Sequence, residues 1–288
     1  MKLQARLALA FLLAANLVSA AADEAKFSAP KNFTLALGDS LAFGYQAHKV
    51  AANPFDLAQF YTGFAFVFTQ RVAQTAAGKG AQILNLGCPG ETTDSFLNGP
   101  CLYHAIGFPL HINYSGSQMA AAEALLRAHP GQVNPILISL GANDALRAQA
   151  FCPSFDRDCV AAILPGILAA VGENLGEVLS RLRNAAPDAE IILLQLYNPL
   201  FFVTPTSDAL ALSLNAVIGN MAAAHRARVA NAFPAFNQAP PQPQTLCVMT
   251  LMCGLGGIAP GDIHASDVGY ATIADLMFQA AGYTRFEQ

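Results

Sequence analysis

Phe33-Thr34-Leu35-Ala36-Leu37-Gly38-Asp39-Ser40 decides how this chain is read. Five apolar or β-branched residues run without alternation and stop at a Gly-Asp-Ser turn. A strand with no polar face is buried on both sides, which is the signature of a parallel sheet covered by helices. The pattern returns along the chain. Residues 81–86, Pro135–Leu140 and Glu190–Leu196 are further apolar strands, and Arg228–Phe233 is a fifth. Helical stretches fall between them at Phe55–Ala77, Ser117–Ala128, Cys159–Ala185, with a break expected at Pro165, and Ser207–Arg226. Ser266–Ala281 closes the chain as a helix. Strand and helix alternate with no linker and no internal repeat, so residues 21–288 are expected to form one α/β domain.

What precedes that domain is read from its first twenty residues. Lys2 and Arg6 lead into an apolar run, Leu7–Ala15, which ends at Val18-Ser19-Ala20. A cationic flank, a short apolar core and a small-x-small end describe a secretory signal peptide cleaved near Ala20. The run is too short to span a bilayer. The next uncharged stretch, Val160–Gly172, is also short and holds Pro165 and Gly166, so no stable membrane span is expected.

Composition narrows the partners. The 288 residues are 54% hydrophobic and only 12% charged, with a net charge of −4. Mean hydropathy is +0.38. There is no basic stripe to neutralise phosphates, which excludes a nucleic-acid partner. The sparse charge and large apolar fraction fit a thick sheet core, and a monomer is expected.

All six cysteines follow the signal: Cys88, Cys101, Cys152, Cys159, Cys247 and Cys253. An even number in an exported chain indicates disulfides. Six cysteines allow fifteen pairings, but these fall as three local couples. The expected bridges are Cys88–Cys101, Cys152–Cys159 and Cys247–Cys253. Paired C-x2-C zinc ligands are absent. Each couple lies in or beside an irregular segment, at Gly99–Tyr114, Leu146–Asp158 and Gln238–Ala259. Long ordered loops are often functional.

Ligands of parallel sheets bind at the carboxyl ends of the strands, and polar residues cluster there. Ser40 follows the first strand, Gly90 lies beyond the second, and Asn143 follows the third. Serine needs a base to become a nucleophile. Of six histidines, His264 stands out because it opens the last helix just after Asp262. An acid of that kind can fix the imidazole tautomer. Gly90 can present a bare N–H and Asn143 an amide to a developing oxyanion. Ser40 has a rival reading as a helix N-cap, and Gly90 and Asn143 have rival readings as turn residues. Asp39 and Asp144 are expected to bond nearby backbone. No G-x-S-x-G elbow occurs.

Four blocks then carry a resemblance: Gly38-Asp39-Ser40-Leu41, Asn85–Thr93 with its Gly90, Gly141-Ala142-Asn143-Asp144, and Asp262-Ile263-His264. In this order the sequence resembles the SGNH/GDSL serine hydrolases across nearly the whole mature chain. The resemblance implies a flavodoxin-like three-layer α/β/α sandwich and a secreted esterase or lipase. It implies Ser40 as nucleophile, His264 as base, and an oxyanion hole of the Ser40 N–H, the Gly90 N–H and the Asn143 amide. No metal or organic cofactor is implied. The family commonly places its acid three residues before the histidine. Here that position is Gly261, so either Asp262 or the Gly261 carbonyl would orient His264.

The substrate expected is a small-molecule or lipid ester. Tyr103, Phe108, Tyr114 and Phe201-Phe202 are pocket candidates, whereas the rings of Phe55–Phe68 fit the core. The absence of Trp leans away from a polysaccharide cleft. The rival within the class is a carbohydrate O-acetyl esterase. The rival outside it is a non-catalytic binding module, against which an acid in the first loop argues, since Asp39 would repel phosphate.

Overall fold

The structure, a computed structural model, describes residues 27–287 apart from 153–155, 203–206, 242 and 255. The signal segment expected over residues 1–20 lies outside the described residues. Five strands form one parallel sheet: β1 (Phe33–Gly38), β2 (Gln82–Asn85), β3 (Val133–Ser139), β4 (Ile191–Gln195) and β5 (Arg228–Asn231). Their order is β2-β1-β3-β4-β5. β1 pairs with β2 through Leu35 and Leu84 and with β3 through Leu37 and Ile138. Every residue of β3 is buried, as an unalternating apolar strand requires.

Helices cover both faces. Phe64–Gln74 and Asp267–Ala280 lie on one, with Phe68 and Phe278 ring centroids 5.8 Å apart. Gln118–Ala128, Arg157–Ala185 and Ser207–Ala224 lie on the other. This is the three-layer α/β/α sandwich expected. The chain steps one way from β1 to β2 and the other way from β3 to β5. The reversal leaves a crevice between the carboxyl ends of β1 and β3, where open sheets bind ligands. Ser40 and Asn143 follow those two strands.

The differences from expectation have local causes. The helix expected over Phe55–Ala77 divides at Gly63 into a 3₁₀ segment, Leu57–Thr62, and the helix Phe64–Gln74. A Cβ on Gly63 would lie 2.5 Å from the Gly44 Cα, so the break lets two backbones touch. The helix Arg157–Ala185 runs through Pro165 unbroken. Ala161, whose carbonyl the ring leaves without a partner, is exposed to water. That helix is long and apolar enough to cross a membrane by length and composition alone. Its buried residues begin at Val171 and pack in the core. β5 stops at Asn231, whose side chain accepts the Phe233 N–H.

His264 does not open a helix. It lies in a short strand, β7 (Asp262–Ala265), paired antiparallel with β6 (Thr250–Leu251). The last helix begins at Asp267, with Ser266 capping it through the Gly269 N–H. All three cysteine couples form as expected: Cys88–Cys101, Cys152–Cys159 and Cys247–Cys253.

Candidate active site

β1 ends at Gly38 with φ +118°, where a Cβ would come 1.8 Å from the Ser139 carbonyl oxygen. Only glycine allows that approach. Asp39 then caps the short helix Ser40–Phe43 by accepting the Leu41 N–H, and Ser139 Oγ donates to the same oxygen. The cap is therefore Asp39, and Ser40 is free of that duty. Burial pushes the Asp39 carboxyl up to about 6, against the lowering effect of these two bonds.

Ser40 Oγ lies 2.9 Å from His264 Nε2, and His264 Nδ1 lies 2.5 Å from Asp262 Oδ1. Alternation along β7 puts residues 262 and 264 on one face. The strand is what allows an acid two positions earlier to reach the ring, and the Gly261 carbonyl is not needed. Asp262 also accepts the His264 N–H on Oδ1 and the Ala47 N–H on Oδ2. Burial opposes its charge, but the His264 and Ala47 bonds outweigh that and hold its carboxyl below the usual range. An ionised Asp262 accepts only, so the ring proton sits on Nδ1 and Nε2 accepts from Ser40.

Two glycines in the second block differ in use. A Cβ on Gly87 would lie 2.5 Å from the Phe43 N, so Gly87 serves close packing. Gly90, with φ +78°, lines the cleft beside Ser40. Asn143 also lines it, and its Nδ2 donates to the Glu91 carbonyl at 2.9 Å. That bond fixes the plane of the amide and leaves a second N–H on the same nitrogen. Asp144 bonds backbone as expected, its own N–H among it. It accepts from the Thr93 N–H and Oγ–H, tying the third block to the second.

Glu91 and Gln118 were not singled out from the sequence. Gln118 accepts the Gly38 N–H and donates to the Gly38 carbonyl and to Glu91 Oε2. Ser95 Oγ donates to the other Glu91 oxygen. This strut joins the turn before Ser40 to the turn that carries Gly90. Burial pushes the Glu91 carboxyl up to about 7, against these hydrogen bonds. Glu91 at least neighbours Gly90 in sequence; nothing in the sequence marks Gln118.

The cleft holds about 270 Å³. Besides the polar residues it is lined by Leu41, Tyr45, Tyr103, Leu146, Leu196, Tyr197, Leu200, Leu210, Ala211 and Leu214. Of the expected pocket rings whose side chains are described, only Tyr103 lines it, and the side chain of Phe202 lies outside the described residues. Phe108, Tyr114 and Phe201 pack against core clusters instead. Tyr45 and Tyr197 were not foreseen. Tyr197 donates to the Ile263 carbonyl, and Gln46 donates to that of Ala265, so both steady β7. Phe60, Phe64, Phe66 and Phe68 are buried as expected, whereas Phe55 and Tyr61 are exposed.

Comparison with known proteins gives the family. A model of the GDSL-like lipase/acylhydrolase family matches residues 36–272. No curated protein sequence matches the chain. Among solved structures, the acetylxylan esterase Axe2 from Geobacillus stearothermophilus has a TM-score of 0.56 at 15% identity, with 89% of this chain and 96% of that chain covered. LAE5, an α/β hydrolase enzyme from the metagenome of Lake Arreo, Spain, gives 0.57 at 15%, covering 89% and 97%. An extracellular lipase from Streptomyces rimosus gives 0.55 at 15%, covering 86% and 99%. At such identities the structures share the fold. The family match extends from β1 into the last helix, and the chain belongs to the GDSL-like lipase/acylhydrolase family.

Proposed function

We propose that this chain is an exported carboxyl-ester hydrolase working through an acyl-enzyme. The observation that carries the reading is the continuous chain of bonds from Ser40 Oγ through His264 to Asp262. Ser40 attacks the ester carbonyl and its proton passes to His264 Nε2. Asp262 holds the tautomer and offsets the imidazolium charge. The Ser40 and Gly90 N–H groups and the Asn143 amide receive the oxyanion. The tetrahedral intermediate collapses, His264 protonates the leaving alcohol, and water repeats the sequence on the acyl-Ser40 ester.

Apolar lining supports an aliphatic acyl group. The cleft's volume of about 270 Å³ leaves room for such a group. That suits a small or medium-chain ester of a soluble molecule or lipid. A second reading, a carbohydrate O-acetyl esterase, draws on the likeness to the acetylxylan esterase. Three disulfides and the leader-like first twenty residues support export, with residues 21–288 as one catalytic domain.

Fluorophosphonate labelling with peptide mapping tests the chemistry. The label is expected on Ser40. Ser40→Ala is expected to lose both label and ester hydrolysis while keeping its thermal unfolding midpoint. A label on another residue overturns the mechanism. A series of acyl esters from acetyl to palmitoyl separates the two substrate readings.

A further inference from the structure

The cleft has two chemically different ends. Following the strand order, its aliphatic end lies beyond β3 and β4, at Leu146, Leu200, Leu210 and Leu214. Its other end is aromatic. The Tyr45 ring packs 4.6 Å from the His264 ring. Tyr103 meets Tyr45 nearly edge-on at 6.5 Å, with the two rings 85° apart. A Cβ on Gly90 would lie 3.2 Å from Tyr103 Cε2, so this ring also borders Gly90. The Cys88–Cys101 bridge joins the two segments, since Cys88 precedes Gly90 by two residues and Cys101 precedes Tyr103 by two. Phe108 backs Tyr103 edge-on at 5.6 Å. The ring is held in place yet remains 36% exposed, open to a ligand.

We propose that the Tyr45–Tyr103 end is the alcohol subsite, that it takes esters of ring-bearing alcohols, and that Tyr103 is its specificity-determining residue. The inference rests on the acyl-enzyme reading and goes one step further. In acylation the bond from the acyl carbon to the alcohol oxygen breaks as the bond to Ser40 Oγ forms. The proton that left Ser40 goes from His264 Nε2 to the alcohol oxygen. That oxygen must stay within hydrogen-bond reach of His264 Nε2, and Tyr45 is the cleft-lining ring packed against that histidine. The acyl chain remains bonded to Ser40 and continues toward Leu210 and Leu214. Tyrosine rings meet other rings edge-to-face or offset, so the bridge-held pair selects ring-shaped alcohols over linear ones.

The test uses octanoyl esters of benzyl alcohol, cyclohexylmethanol and a linear primary alcohol of equal carbon count. Wild type is expected to favour the benzyl ester over the linear one by about three- to tenfold in kcat/KM, with the cyclohexylmethyl ester between them. Tyr103→Ala is expected to lose that preference and Tyr103→Phe to keep it. All three esters pass through one octanoyl-enzyme, so the preference, and its loss in Tyr103→Ala, are expected in the acylation rate read in single turnover. No preference in wild type overturns the proposal. So does a Tyr103→Ala variant that keeps the preference, or whose altered acyl-length dependence and octanoyl-enzyme hydrolysis place the acyl chain at the aromatic end. Ser40→Ala runs beside these. If it hydrolyses the esters at the wild-type rate, the acyl-enzyme reading fails on its own, whatever Tyr103 does.

Discussion

Glu91→Gln isolates the cost of keeping a carboxyl beside the Gly90 turn. Glu91 is only 2% exposed, and burial raises its pKa from 4.5 to about 7. Between those values the native state binds more proton at this site than the unfolded chain does. Stability therefore falls as pH rises through the window. Below 4.5 both states are protonated and the site contributes nothing; above about 7 the whole penalty is present. At about 1.4 kcal/mol per tenfold change in acidity, the full penalty is about 3 kcal/mol, most of it incurred between about pH 5 and pH 8. The substituted amide keeps an acceptor for Gln118 and offers its N–H to Ser95, whose hydroxyl can turn to accept. It cannot ionise. Asp39 raises the Glu91 value, so removing the Glu91 charge also eases ionisation of Asp39, with the same sign. Urea unfolding of both proteins across this range is expected to show the stability of Glu91→Gln rising relative to wild type by about 2–3 kcal/mol. Any cost of imperfect amide packing shifts the whole curve and leaves its slope alone. A difference that stays constant to within about 0.5 kcal/mol would refute burial as the cause of the raised pKa.

Three further outcomes follow from the site. Asn143→Ala removes one of the proposed oxyanion donors and is expected to lower kcat by about 10²–10³-fold with KM little changed; steady-state kinetics on a soluble ester checks it. Asp262→Asn keeps the shape of β7 but removes the charge that fixes the His264 tautomer. A loss in kcat on the order of 10²-fold or more is expected across the pH profile, whereas a few-fold loss would mean another group orients the ring. Ala211→Phe fills the aliphatic end of the cleft and is expected to cut octanoyl-ester turnover by about tenfold while sparing the acetyl ester, measured as a ratio of kcat/KM values.

The fold was legible where one physical signal dominated. The apolar runs at Phe33–Leu37, Pro135–Leu140 and Glu190–Leu196 could only be strands covered on both faces, and their alternation with helices settled the layers. Ser40, Gly90 and Asn143 stood out because they sit at strand ends, where a parallel sheet gathers its ligands, and the structure brings them to one cleft. The local cysteine couples were legible because each closes a short loop. Elements decided by a contact far away in sequence were not. Gly63 breaks its helix to touch Gly44. Gln118 grips Gly38 across eighty residues. Phe108 and Tyr114 turn to the core, while Tyr45 and Tyr197 line the cleft.

Sequence by itself therefore determined the sheet, the strand-end residues and the pairing of the cysteines, since each depends on neighbours along the chain. Tertiary structure decided which carboxylate meets His264. Asp262 looked one residue out of place for as long as His264 was read at a helix start. Pairing with Thr250–Leu251 makes that segment a strand, and a strand returns every second side chain to the same face. The two-residue spacing then brings the carboxylate to the imidazole at 2.5 Å. A four-residue strand has too little pattern of its own to announce itself, and only its partner strand could.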